Sequence, residues 1–169
     1  MQKQANSLVL NKRLGAEMVV SKPKEFFLSV RKMNIDSLMK LDRDSYPPSM
    51  TRLKKEGEQK VQDAIVIMLI DVVKFFNVVR PPDEEQLYMI AEMLMDEYTH
   101  LSLLDLGICM KMGKVGRFGK IYDRIDGGII LDWCCQYDII RTEKAVNDSI
   151  AKHNETKGKD GNRSCGNRW

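Results

Sequence analysis

The stretch PPDEEQLYMIAEMLMDEY, Pro81 to Tyr98, decides the fold class. Leu87, Ile90, Ala91, Leu94, Met95 and Tyr98 fall at i, i+3, i+4, i+7, i+8 and i+11, one face of an α-helix, while Glu85, Glu92 and Asp96 share the other. Pro81 and Pro82 end whatever precedes, and the acids that follow suit the positive end of a new helix dipole. Strand-like alternation of any length is absent elsewhere, so the sequence predicts an all-α fold, an irregular bundle of about five to six helices.

Working outward, Ser102 with Asp105 three residues on has the form of a capping box and opens a short helix, Leu103 to Met112. Asp126 is a candidate N-cap for a last helix whose buried stripe is Ile130, Trp133, Tyr137 and Ile140. Upstream, Pro23 starts a short helix with Phe26, Phe27, Val30 and Met33 on one stripe, and Ile35, Leu38, Met39 and Leu41 form a second before Pro47-Pro48. Ser49 is placed to cap a long helix that begins charged and turns apolar nearly all round. Residues 1–22 read as a loosely ordered arm, 23–152 as the helical domain and 153–169 as a disordered basic tail.

Composition sets the outer limits. A chain of 169 residues, 43% hydrophobic and 30% charged, with net charge +3, is an ordinary globular protein rather than one announced by charge as a nucleic-acid binder. The charge is segregated, however: 13 Lys/Arg against seven Asp/Glu over residues 1–60, one against seven over 80–110, and five against one over 111–124. Cysteines at 109, 134, 135 and 165 fit neither a zinc ribbon nor a disulfide framework, and no secretory leader is read, so a reducing cytoplasm is the expected setting. The longest apolar run, Ala64 to Val79, is broken by Asp71 and Lys74 and falls short of the ~20 residues a membrane helix needs. It reads as a buried helix, and no membrane partner is expected.

The chemistry-bearing candidates centre on MGKVGRFGKIYDRIDGG, Met112 to Gly128. A phosphate-gripping P-loop fails at two positions, with Lys114 where its first glycine belongs and Ile121 where its hydroxyl belongs. A dinucleotide fingerprint fails on spacing, since Gly113, Gly116 and Gly119 are three apart. Gly113–Gly116 and Gly116–Gly119 match the Gly-x-x-Gly loop of KH domains, but the flanking sheet is missing. Two readings of the stretch stand. In one, Gly113 is a left-handed helix cap and the other glycines permit tight turns. In the other, Lys111, Lys114, Arg117, Lys120 and Arg124 approach a nucleic-acid phosphate together with the glycine backbone.

Other constellations are thinner. Glu97 and His100 have the spacing of one half of a di-iron carboxylate motif with no second half, and His153 has Ile150 at the matching position. No metal, cofactor or catalytic residue is therefore assigned. Cys134 and Cys135 read as small buried hydrophobes. Eleven methionines, several on the helix Glu84 to Tyr98, fill a core or leave room for an apolar partner groove.

From Pro81 to about Arg141 the chain resembles a domain-of-unknown-function family of gut-type bacteria and their mobile elements. The residues that carry the likeness are Leu101-Ser-Leu-Leu-Asp-Leu, Gly116-Arg-Phe-Gly-Lys-Ile-Tyr-Asp-Arg-Ile-Asp, and Tyr137-Asp-Ile-Ile-Arg141. More distantly, and in architecture only, it looks like the small helical replication proteins of phages, such as helicase loaders and replisome organisers. The family resemblance implies no activity; it implies that Gly116, Phe118, Gly119, Tyr122 and Asp126 hold one defined structure. Together these readings lead to a non-enzymatic adaptor in the replication or maintenance of a mobile element, with a protein partner and room for nucleic acid or a homodimer. The alternatives are a metal-assisted phosphodiester enzyme using Asp123 and Asp126, and a purely structural or regulatory interaction module.

Overall fold

The structure, a computed structural model, describes residues 20–41, 46–122 and 124–160. Among them the chain forms six helices and no strand: α1 Pro23–Lys32, α2 Ile35–Met39, α3 Met50–Phe76, α4 Glu84–Glu97, α5 Leu103–Lys114 and α6 Gly127–Asp160. The expected all-α bundle is what the chain builds. Residues up to Cys134 make one compact unit, in which α3 packs on α1, α4 and α5 and α5 also packs on α1 and α2.

The helix at the centre is α5. Leu103 through Met110, Met112 and Gly113 are all buried, because Leu-Leu-Asp-Leu-Gly-Ile-Cys-Met is apolar nearly all round and has no face to give to water. Its glycines let neighbours in: a Cβ on Gly107 would meet Val30 Cγ1 at 3.3 Å, where α1 crosses. The run Ala64 to Val79, expected to be the buried helix, is only partly so. Ala64, Ile65, Val66, Met68, Leu69 and Val72 are inside, but α3 stops at Phe76, Phe75 is 58% exposed and Val79 is outside the helix at 89%.

Caps explain most boundaries. Asp83 and Gln86 form a reciprocal capping box on α4, with Gln86 N–H donating to Asp83 Oδ1 at 2.8 Å and Asp83 N–H to Gln86 Oε1 at 3.0 Å. The Ser102–Asp105 box on α5 is present and buried, and Asp126 Oδ1 accepts the Ile129 N–H at 3.1 Å to start α6. Ser49 differs from expectation. Its hydroxyl makes no cap; the first amides of α3 donate to backbone carbonyls instead, Met50 N–H to Leu101 at 2.8 Å and Thr51 N–H to Thr99 at 3.1 Å, beside an isolated antiparallel bridge between Ser49 and Ser102. The α4–α5 turn thus satisfies the donors that a side chain was expected to take. Gly57, φ 155° and ψ 96°, kinks α3 near its charged start, which no feature of the helical period announced.

From Cys135 onward the chain is a second unit, the continuing α6. Ile130, Trp133 and Tyr137 are buried as expected, but Ile140, placed on the same stripe, is 37% exposed, and Ile139, Val146 and Ile150 are exposed beside it. Residues 153–160, expected to belong to the basic tail, are helical, since α6 runs to Asp160: Ala151, Lys152, Glu155 and Lys157 are good helix formers, and nothing before Gly158 interrupts them. Residues 161–169 and most of the N-terminal arm, 1–19, lie outside the described residues.

Candidate functional site

The glycine turn is a helix stop followed by a second reversal. Val115 is the C-cap of α5, Gly116 follows at φ 78°, the Gly116 N–H donates to Gly113 O at 2.9 Å and the Arg117 N–H to Met112 O at 3.0 Å. That pair of bonds is a Schellman motif with Gly116 in its left-handed position. Gly119, φ 106°, makes the next turn with its N–H on Gly116 O at 3.2 Å. The left-handed role was expected of Gly113 and falls three residues later. Gly113 lies inside α5 and is there for contact: an added Cβ would stand 2.3 Å from Trp133 Cε3 and 2.6 Å from Cδ2. Phe118 lies beside the same indole, ring centroids 6.3 Å apart. Asp126 is fully engaged, one oxygen in the α6 cap and the other 3.2 Å from Arg124 Nε. Tyr122 is 80% exposed and packs against little.

The five expected phosphate contacts do not converge as one grip. Lys111 Nζ donates to three carbonyls at the end of α1, Val30 at 3.3 Å, Arg31 at 2.7 Å and Met33, so it closes α1 as a cation at a helix C-terminus. Burial pulls its pKa below the ordinary lysine range. Lys114 pairs with Asp71 of α3, keeps only 13% of its side chain exposed and holds its ammonium 5.5 Å from the Phe75 ring centroid. Arg117 sits 3.7 Å from Asp36 in an exposed pair, and Arg124 is taken by Asp126. Lys120 is exposed, with no acidic partner among the described residues.

Lys114 and Arg117 therefore behave differently on substitution. Lys114→Ala leaves Asp71 with only the exposed Arg31 contact at 3.5 Å and should cost about 1 kcal/mol, whereas Arg117→Ala should stay within about 0.5 kcal/mol. Urea unfolding of the two single variants separates them; equal effects would contradict this assignment.

Of the other candidates, Asp123 lies outside the described residues, so the pairing of Asp123 with Asp126 is left to sequence alone. α4 ends at Glu97 and His100 lies in the turn beyond it, which takes them off a common helical face. No group of three or more His, Cys, Asp or Glu able to hold a metal occurs among the described residues. Cys134 is buried, with its Sγ 3.8 Å from Cys109 Sγ, and burial pushes the Cys109 thiol well above its usual pKa. Cys135, expected to be buried, is exposed.

Two surface grooves stand out, the first on the helix Glu84 to Tyr98, where the sequence left room for an apolar partner groove, and the second unassigned from the sequence. The first is a groove of about 790 Å³ between α4 and the segments at 79–82 and 124–127, with Val79, Met89, Ile90, Met93 and Ile125 supplying apolar walls and Arg80 and Arg124 at its rim. Val79, Met89 and Met93 are 89%, 53% and 48% exposed there, although methionines on this helix were expected mainly to fill the core. The second is a groove of about 490 Å³ between α1 and α3, floored by Phe27, Leu28, Ile67 and Ile70 and edged by Lys24, Arg31 and Lys74. Its neighbour brings Lys111, Lys114 and Phe75 to the same Asp71. The signal that could have found both is the face of each helix left over once the core stripe is assigned.

No helix among the described residues is long and apolar enough to cross a membrane. No family model, curated protein or solved structure matches the chain.

Proposed function

We propose that this chain is a non-enzymatic cytoplasmic interaction protein, an adaptor whose α4 groove receives the apolar side chains of a protein partner. The observation that carries this reading is the exposure of Val79, Met89 and Met93 around one concave surface. Apolar side chains gathered in a groove and rimmed by charge gain by being covered, about 25 cal/mol for each Å² removed from water. Methionine suits such a surface because its unbranched thioether adapts to the shape of a partner. Replication or maintenance of a mobile element is the process suggested by the architectural likeness to small phage replication proteins and by the segregated charge. A photo-crosslinking residue in place of Met93 should capture a discrete partner in host cells, and Val79→Glu should abolish that adduct. Capture no different from a probe placed at exposed Glu56, away from the groove, would refute the reading.

Nucleic acid is a second reading, favoured by the exposed cations Arg31 and Lys74 beside exposed Phe75. Phosphate contacts there would make binding of single-stranded DNA fall steeply with salt, and no mobility shift at low salt removes it.

A further inference from the structure

The outward faces of α1 and α4 carry one pattern in opposite charge. On α1, Lys24, Leu28 and Arg31 fall at i, i+4 and i+7; on α4, Glu85, Met89 and Glu92 do the same, and all six are exposed. The two charges of each set are separated by about 10.5 Å along their helix, and an apolar side chain stands between them. Because the spacing is the same, the sets match in either direction of approach, Lys24 meeting Glu92 and Arg31 meeting Glu85, or the reverse.

We propose that α4 of one copy docks on the α1–α3 groove of a second copy, Met89 entering beside Leu28 while the two acids meet Lys24 and Arg31. This rests on reading α4 as an interaction face and names the occupant of its outer side. The charges are available for it. Among the described residues Lys24, Lys74, Glu85 and Glu92 take part in no ion pair, and the contact of Arg31 with Asp71 is an exposed one that contributes little. On the face shared by Glu85, Glu92 and Asp96, Asp96 is held 3.0 Å from Lys54, which leaves Glu85 and Glu92 to reach outward. The groove floor adds Ile67 and Ile70, and Lys74 adds a third cation at its edge.

The two surfaces belong to different parts of the chain, so the contact is head-to-tail. Each copy that offers its α4 keeps an open α1, and growth continues into a ring or an open row. The sequence already displayed the cause in its segregated charge, basic over residues 1–60 and acidic over 80–110.

The test is sedimentation velocity over rising protein concentration at low and at high salt. Wild type should form species larger than a monomer, and salt should dissolve them, because exposed charge pairs are screened. The charge-reversed chain Lys24→Glu/Arg31→Glu and the chain Glu85→Lys/Glu92→Lys should each stay monomeric while keeping the wild-type circular dichroism. Mixed together they should assemble again with the two chains alternating, since intact α4 meets intact α1 and the reversed α4 meets the reversed α1 with the charges exchanged. Leu28→Ser, which leaves every charge in place, should weaken the wild-type assembly as well. A wild type that is monomeric throughout overturns the proposal and leaves the Met93 crosslink an independent question. So does association untouched by charge reversal, which is what contact through the exposed Ile139, Val146 and Ile150 of α6 would give, and so does a mixture that fails to pair.

Discussion

Gly113→Ala should destabilise the compact unit by about 3 kcal/mol, lowering its melting temperature by roughly 6 to 12 °C. The added methyl has nowhere to go. It would stand at 2.3 to 2.6 Å from three ring atoms of Trp133, and the indole is 1% exposed, with Phe76 and Phe118 at 5.8 and 6.3 Å between ring centroids. Either α5 or the start of α6 must shift, and a shift spreads because close-packed interiors transmit strain. A double-mutant cycle gives the decisive number. Trp133→Leu alone opens a cavity and is costly, but in that background Gly113→Ala should cost much less than it does alone. Equal cost in both backgrounds would place the strain in the backbone instead. Asparagine, which suits a left-handed cap, should be no better tolerated at Gly113 than alanine.

Asp105→Ala should cost about 3 kcal/mol in urea unfolding. One carboxylate oxygen, Oδ2, accepts both the Ser102 N–H at 2.9 Å and the Ser102 hydroxyl at 2.8 Å, while the Asp105 N–H donates back to Ser102 Oγ at 3.1 Å. Both residues are buried, at 1% and 3% exposure, so the substitution leaves two donors without water to turn to, each at about 1–3 kcal/mol. Asp105→Asn should lose less, because its one carbonyl oxygen still accepts. Adding Ser102→Ala to Asp105→Ala should cost little more than Asp105→Ala alone; strict additivity would mean that the two groups do not act as one box.

How far the sequence discloses this molecule depends on the range of the forces involved. α4 was legible because its period, its prolines and its first-turn acids all act within a few residues, and the caps at Ser102 and Asp126 were legible for the same reason. Gly113 was assigned to the wrong geometry because the partner that requires a glycine there, Trp133, is twenty positions away and local turn chemistry is blind to it. Lys111 looked like a phosphate contact by composition; only the arrival of the α1 carbonyls beside α5 gives it another task. Ser49 has the right chemistry for a cap, but the carbonyls of Thr99 and Leu101 reach the same amides from across the fold. The grooves were hardest to see. Met89 and Met93 are apolar residues on the charged side of an amphipathic helix, and a pattern that sorts residues into two faces has no place for a third.

The tie between the start of α3 and the α4–α5 turn has a consequence for how the protein comes apart. The first turn of a helix is ordinarily where it frays, since its amides lack helical partners. Here the Met50 and Thr51 amides end on carbonyls of the segment 99–101, and the Thr51 hydroxyl shares the Thr99 carbonyl at 3.0 Å across 48 residues of chain. The stretch from α3 through α4 is thereby a closed ring, and neither end of it can peel away without breaking the other. Amide exchange at Met50 and Thr51 then follows the opening of the bundle as a whole, and the entropy of closing the ring is lost once, in a single cooperative step.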